Sequence, residues 1–125
     1  DFYYLIGKKF KKEENLDLKA LYKEKLLKII YEIINKYSQI TNLKPSKISF
    51  RYNRTRWGSC SVKNSITLNY YLAKLPVELI EYVVLHELAH IKYKNHSKDF
   101  WNFIKKYMSD YKLRVKKLKE FERIV

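Results

Sequence analysis

At 125 residues the chain has the size of one small domain, and a hydrophobic content of 46%, with 16% aromatic, is enough for one real core. No run of about 18 or more apolar residues occurs, which excludes a membrane-spanning helix, and the single cysteine, Cys60, excludes an intrachain disulfide and points to a reducing, cytoplasmic setting. The 27 Lys plus Arg against 13 Asp plus Glu leave a net charge of +14, which suggests attraction to polyanions such as nucleic acid.

The charge has a plainer explanation too. The chain is rich in Lys, Asn, Ile and Tyr together, the residues of A/T-biased codons, and Arg, the better phosphate reader, supplies only five of the cations. No signal-peptide pattern opens the chain, and Asp1 stands where a Met would start a full protein, so a fragment of a longer chain is expected.

Tyr3–Phe10 is a short apolar run broken at Gly7, which reads as a hairpin or strand remnant. Residues 1–15 as a whole read as what is left of an N-terminal region. From Leu16 to about Ile40, Leu18, Leu21, Leu26, Ile29, Ile30, Ile33 and Ile34 recur at three- and four-residue spacings, which predicts a long helix. Asp17 is placed to cap it, and Thr41–Ser46, with Pro45, ends it.

Ile48–Tyr52 and Ser65–Asn69 each alternate apolar and polar residues and predict two strands. Gly58 and Lys63-Asn64 are turn signals between them, so an antiparallel pair with a wide, irregular connection is expected. Within that connection Trp57 is expected to pack a turn against the core, and Cys60 to be a small buried apolar residue rather than a nucleophile.

Pro76 suits the first position of a helix running to about Tyr93, with Glu78 as an acid in its first turn. That helix is apolar on nearly all sides, which places it in the core. Ser97 is a good N-cap for a further helix carrying Phe100, Phe103, Ile104, Tyr107 and Met108 inward, and the basic tail from Asp110 is expected to be helical again.

The central helix contains His86-Glu87-Leu88-Ala89-His90. Residues four apart on a helix differ by about 40° around the axis and lie about 6 Å apart along it, so both imidazoles can reach one ion. Glu87 falls between them, poorly placed to ligate the ion but able to take a proton from water beside it and return that proton to a leaving amine.

A catalytic zinc takes three protein ligands and keeps one open position. His96 is the natural third, just past the expected helix end, and Asn95 is a residue that tolerates the left-handed backbone a turn back would need. A closed structural zinc is disfavoured, because such sites are Cys-rich and this one is three His with an acid in place. Asp99 is read as a first-turn helix acid, with a role behind a ligand His as the alternative.

Arg56-Trp57-Gly58-Ser59-Cys60-Ser61, Ile66-Thr67-Leu68-Asn69, the run from Tyr82 to His90, Asn95-His96-Ser97 with Phe100-Trp101, and Asp110-Tyr111-Lys112 together resemble the YgjP-like metallopeptidases, a group related to the SprT-like and WLM metalloproteases. The resemblance implies an α+β fold: a small antiparallel sheet packed on the central HExxH helix, with a long N-terminal helix and C-terminal helices, as one domain over 1–125. It implies zinc held by His86, His90 and His96, with Glu87 as general base. The histidine spacing also resembles that of metzincins, but Tyr93 stands at their glycine position and Met108 is expected inside a helix rather than a turn, so that assignment is set aside.

The expected reaction is hydrolysis of a peptide bond in a peptide or protein substrate. Asn69, on a strand expected to form the sheet edge, and Arg56 are the candidate substrate-binding residues, and an oxyanion donor is sought among the tyrosines and Arg51, Arg54 and Arg56. Two alternatives stand beside this. One is a DNA-associated protease acting on nucleic-acid-bound proteins, favoured if Lys28, Lys36, Lys44 and Lys47 cluster with those arginines. The other is an inactive metal-binding partner domain, which Glu87 argues against.

Overall fold

A computed structural model describes residues 1–125. The chain opens with a hairpin, β1 (Phe2–Leu5) and β2 (Lys8–Lys11), turned through Ile6 and Gly7, both at positive φ. A two-residue turn of that kind matches the strand twist and calls for residues that accept the left-handed region. The hairpin is tied down: Ile6 N–H donates to the Ala73 carbonyl at 2.7 Å and Gly7 N–H to that of Lys74 at 2.9 Å.

Helix α1 (Leu18–Thr41) begins where Asp17 accepts a hydrogen bond from Ala20 N–H at 3.1 Å and ends at Asn42, whose φ of 58° is the left-handed cap Asn tolerates. Its buried residues, Tyr22, Leu26, Ile30, Ile33, Ile34 and Tyr37, follow the helical period and face the core.

The three-stranded sheet consists of β3 (Lys47–Arg51), β4 (Gly58–Cys60) and β5 (Ser65–Asn69) in the order β3-β5-β4. The expected strands exist, but β3 and β5 run parallel, in register from Lys47–Ser65 to Arg51–Asn69, so the sheet is mixed rather than antiparallel. The reason lies in the connection. Its irregular stretch forms β4, which pairs antiparallel with β5 and makes the return, so β5 re-enters between its two neighbours. Ser65–Asn69 is therefore the central strand, and β3 and β4 are the edges. Ile66 and Leu68 are buried on the inner face, while Ser49 and Thr67 hydroxyls hydrogen-bond to each other at 3.0 Å on the other.

A 3-10 helix (Tyr70–Lys74) follows, then α2 (Val77–Lys92), α3 (Lys98–Tyr107) and α4 (Tyr111–Ile124). Pro76 is the residue before the first turn of α2 rather than within it, and Ser97 caps α3 through Phe100 N–H at 3.3 Å. Met108 lies just beyond the end of α3 instead of inside a helix. Nine residues of α2 are buried, and all of them but Glu87 join residues of α1, β5, the 3-10 helix and α3 in a single apolar cluster. Glu81 on α2 joins Lys36 of α1 at 3.2 Å and Arg114 of α4 at 3.3 Å, and Arg114 also donates to the Glu78 carbonyl, so α1 and α4 are both fixed to the motif helix. No helix is long and apolar enough to cross a membrane.

Candidate metal centre

His86 and His90 lie one turn apart on α2, and His96 reaches them from the segment before α3. The Nε2 of His96 lies 3.2 Å from that of His90 and 3.2 Å from that of His86. Tetrahedral ligands about 2.0–2.1 Å from one ion stand about 3.3 Å apart, so these spacings are those of a shared cation.

The tautomers agree with that geometry. His90 Nδ1 lies 2.8 Å from the Tyr93 carbonyl, which only accepts, so Nδ1 carries the proton and Nε2 presents a lone pair. His86 Nδ1 lies 3.2 Å from the Tyr82 hydroxyl, one turn earlier on the same helix; that oxygen can accept the Nδ1 proton, the arrangement that leaves Nε2 free likewise. Lone pairs converging on one point repel unless a cation sits between them.

Burial, then the neighbouring His90 and His96, pushes the His86 imidazolium down to about 3, and burial lowers His90 as well. Both imidazoles are therefore neutral at pH 7, the protonation state a metal ligand needs.

The rings are held from behind. Phe100, fully buried, stacks on His90 at 4.5 Å and meets His86 at 5.0 Å and His96 at 5.1 Å edge-on, while Trp101 stacks on His96 at 5.9 Å. The Ser97 cap sets the start of α3 and so delivers both aromatics. Asn95 is not in the left-handed region, contrary to expectation: the positive-φ residues are elsewhere. Tyr93, extended at φ −122°, makes the departure from α2 instead, and its carbonyl is what His90 holds. Asp99 stays a first-turn acid of α3.

Glu87 is 7% exposed, and burial raises its carboxyl to about 7, with the Arg56 charge pulling the other way. Gly58 of β4 makes room for it. A Cβ at Gly58 would stand 3.1 Å from Glu87 Cγ, 3.3 Å from its Oε2 and 3.2 Å from Leu68 Cδ2. We expect Gly58→Ala to displace the carboxylate by a few tenths of an ångström and to lower kcat on the order of tenfold with bound metal unchanged, measured on metal-loaded protein.

Arg56 is exposed and near enough to act on Glu87. Asn69 is 3% exposed and its amide is fully engaged. It donates to the Asn53 carbonyl at 2.6 Å and the Arg56 carbonyl at 2.9 Å, and accepts from Asn53 and Tyr71 N–H. It thus holds the loop that carries Arg56. Trp57 is half-buried and packs on the core as expected. The Cys60 thiol is free, and burial pushes it up, away from nucleophilic character.

Tyr82 and Gly58 were the functional neighbours not singled out from sequence. The one-turn spacing of Tyr82 to His86 was a readable signal. Gly58 carried none, because its contact with Glu87 exists only once β4 lies over α2.

Three histidines, two of them on the helix that carries the buried Glu87, are placed so that they could hold one divalent ion. The chain belongs to the YgjP-like family: residues 5–121 match the YgjP-like, metallopeptidase domain. Two solved structures are similar. One is the metallopeptidase zymogen of Methanocaldococcus jannaschii, jannalysin, at 30% identity and TM-score 0.63, covering 77% of this chain and 97% of that one. The other is the metallopeptidase zymogen of Pyrococcus abyssi, abylysin, at 22% identity and TM-score 0.66, covering 75% and 95%. No curated protein matches.

Proposed function

We propose that this chain is a zinc-dependent peptidase of one catalytic domain, with His86, His90 and His96 as ligands and Glu87 as general base and acid. The observation that carries it is the convergence of three Nε2 atoms beside a buried carboxylate. Zinc bound there would supply Lewis-acid polarisation of a scissile carbonyl and a lowered pKa for the attacking water. Zinc is favoured over harder ions because all three donors are neutral imidazoles.

Glu87 accepts a proton at a carboxylate oxygen as water attacks and returns it to the leaving amine. Arg56 faces the substrate with a fixed charge, and Asn69 acts by holding its loop. The extended substrate pairs along β4, the edge strand that lies against Glu87, since β5 has neighbours on both sides. The lone, half-buried thiol of Cys60 suits a cytoplasmic setting. Hydrolysis of a mixed peptide pool should stop with a zinc chelator and return with added zinc. Cleavage indifferent to the chelator would overturn the reading.

A further inference from the structure

We infer that the groove between the start of α1, the 53–57 loop and the end of α4 is a binding subsite for acidic side chains of a polypeptide substrate. The inference rests on the peptidase reading of the histidine centre. The groove encloses about 610 Å³. Lys19, Arg54, Arg56 and Lys74 line it, against one acid, Glu122.

None of these four cations belongs to the chain's ion pairs, which join Lys28 to Glu24, Lys36 to Glu81, and Arg114 to Glu81 and Asp110. A cluster of cations that outnumbers its nearby acid raises the local concentration of anions. Lys74 is the most telling of them. Its ammonium lies 4.7 Å from the Tyr71 ring centre and 5.4 Å from that of Tyr22, with aromatic faces where a carboxylate would satisfy it better. Burial lowers its pKa, the mark of a charge short of solvation.

The groove borders the edge strand β4. A second cavity of about 240 Å³ shares Asn53, Arg56 and Trp57 with it and continues to Gly58 and Ser59 on β4. Gly58 lies against Glu87. A polypeptide paired along β4 would pass Arg56 and Trp57, which adjoin that strand and line the groove.

A nucleic-acid strand suits it less well. Leu18, Val125 and Glu122 bound the groove, and Lys28 and Lys36 farther along α1 are already paired with carboxylates.

The test is fluorescence anisotropy on the full chain carrying Glu87→Gln, so that binding is read without cleavage and independently of whether the centre hydrolyses anything. The probes are a labelled hexapeptide with a central Glu-Glu pair, its Gln-Gln counterpart and a single-stranded oligothymidylate. We expect the Glu peptide to bind about tenfold tighter than the Gln peptide. That preference should vanish in Lys74→Gln/Arg54→Gln and persist in Lys116→Gln/Lys117→Gln, which removes the same charge from exposed positions of α4. Arg54→Gln alone, at an exposed loop position, carries the test if the Lys74 variant does not fold. No preference in the parent, or equal loss in both double variants, overturns the subsite. Tighter binding of the oligonucleotide than of the Glu peptide, abolished by the same groove variant, overturns it in favour of nucleic acid.

Discussion

Glu87→Gln is expected to lower peptide hydrolysis about 10²- to 10⁴-fold, the usual contribution of a positioned general base, while metal content stays at the wild-type value. The amide keeps the size and burial of the carboxyl and removes only its ability to take up a proton. Glu87 is not one of the three converging donors, so the ion keeps its ligands. The comparison is made at pH 7–8 on protein with its metal content measured. Activity near wild type would remove Glu87 from the proposed role, and loss of metal together with activity would make it a ligand instead.

The same substitution should have the opposite sign on stability. In metal-free protein the Glu87 carboxyl titrates near 7 against an ordinary 4.5, chiefly because it is buried. A carboxyl whose folded-state pKa is raised holds its proton more tightly when folded, so ionising it costs stability. The cost is absent below the unfolded pKa, grows from about pH 4.5 to 7, and is complete above that. Two and a half units correspond to about 3 kcal/mol, an order-of-magnitude value. Metal-free Glu87→Gln should therefore equal the wild type at pH 4 and exceed it by up to about 3 kcal/mol at pH 8, in denaturant unfolding. His86 and His90 are common to both proteins, so their contribution, which falls away on acidification because their folded pKa values are depressed, cancels in the difference. A difference that does not change with pH would show that Glu87 is not held in a poorly solvated site.

Both expectations come from placing a carboxylate in the core beside a cation site. This is a familiar exchange of stability for function. Glu87 lies against Gly58 and Leu68 where an apolar residue would serve the fold better. Arg56 offsets part of the cost from across the loop.

The site was more legible in the sequence than the sheet around it. Two His one turn apart fix their own relative geometry through the helix, and a Ser three residues before Phe100 announces the cap that brings α3 and His96 back. These are local relations, set by the 3.6-residue period and by capping chemistry. Asp17 at the head of α1 was readable for the same reason. Strand alternation is also local, but it reports which face is buried and not the direction of a neighbour. Ile48–Tyr52 and Ser65–Asn69 therefore read as strands without revealing that they run parallel. The arbiter, β4, has three residues, too few for any period to register. Its absence from the sequence reading also misplaced the sheet edge. Asn95 was assigned a turn by its tolerance for the left-handed region. The chain does bend at Lys94–Asn95, but without the left-handed region: Tyr93 leaves the helix in extended form, its carbonyl accepting a hydrogen bond from the His90 imidazole.

The most direct test of the account is metal-to-protein stoichiometry by elemental analysis of the wild type and His96→Ala after dialysis against trace zinc. His96 is exposed and lies outside α2, so its loss should remove a ligand and leave the fold intact. The account predicts one zinc per wild-type chain and little retained by His96→Ala. Zinc absent from the wild type, or held equally by both, would contradict it.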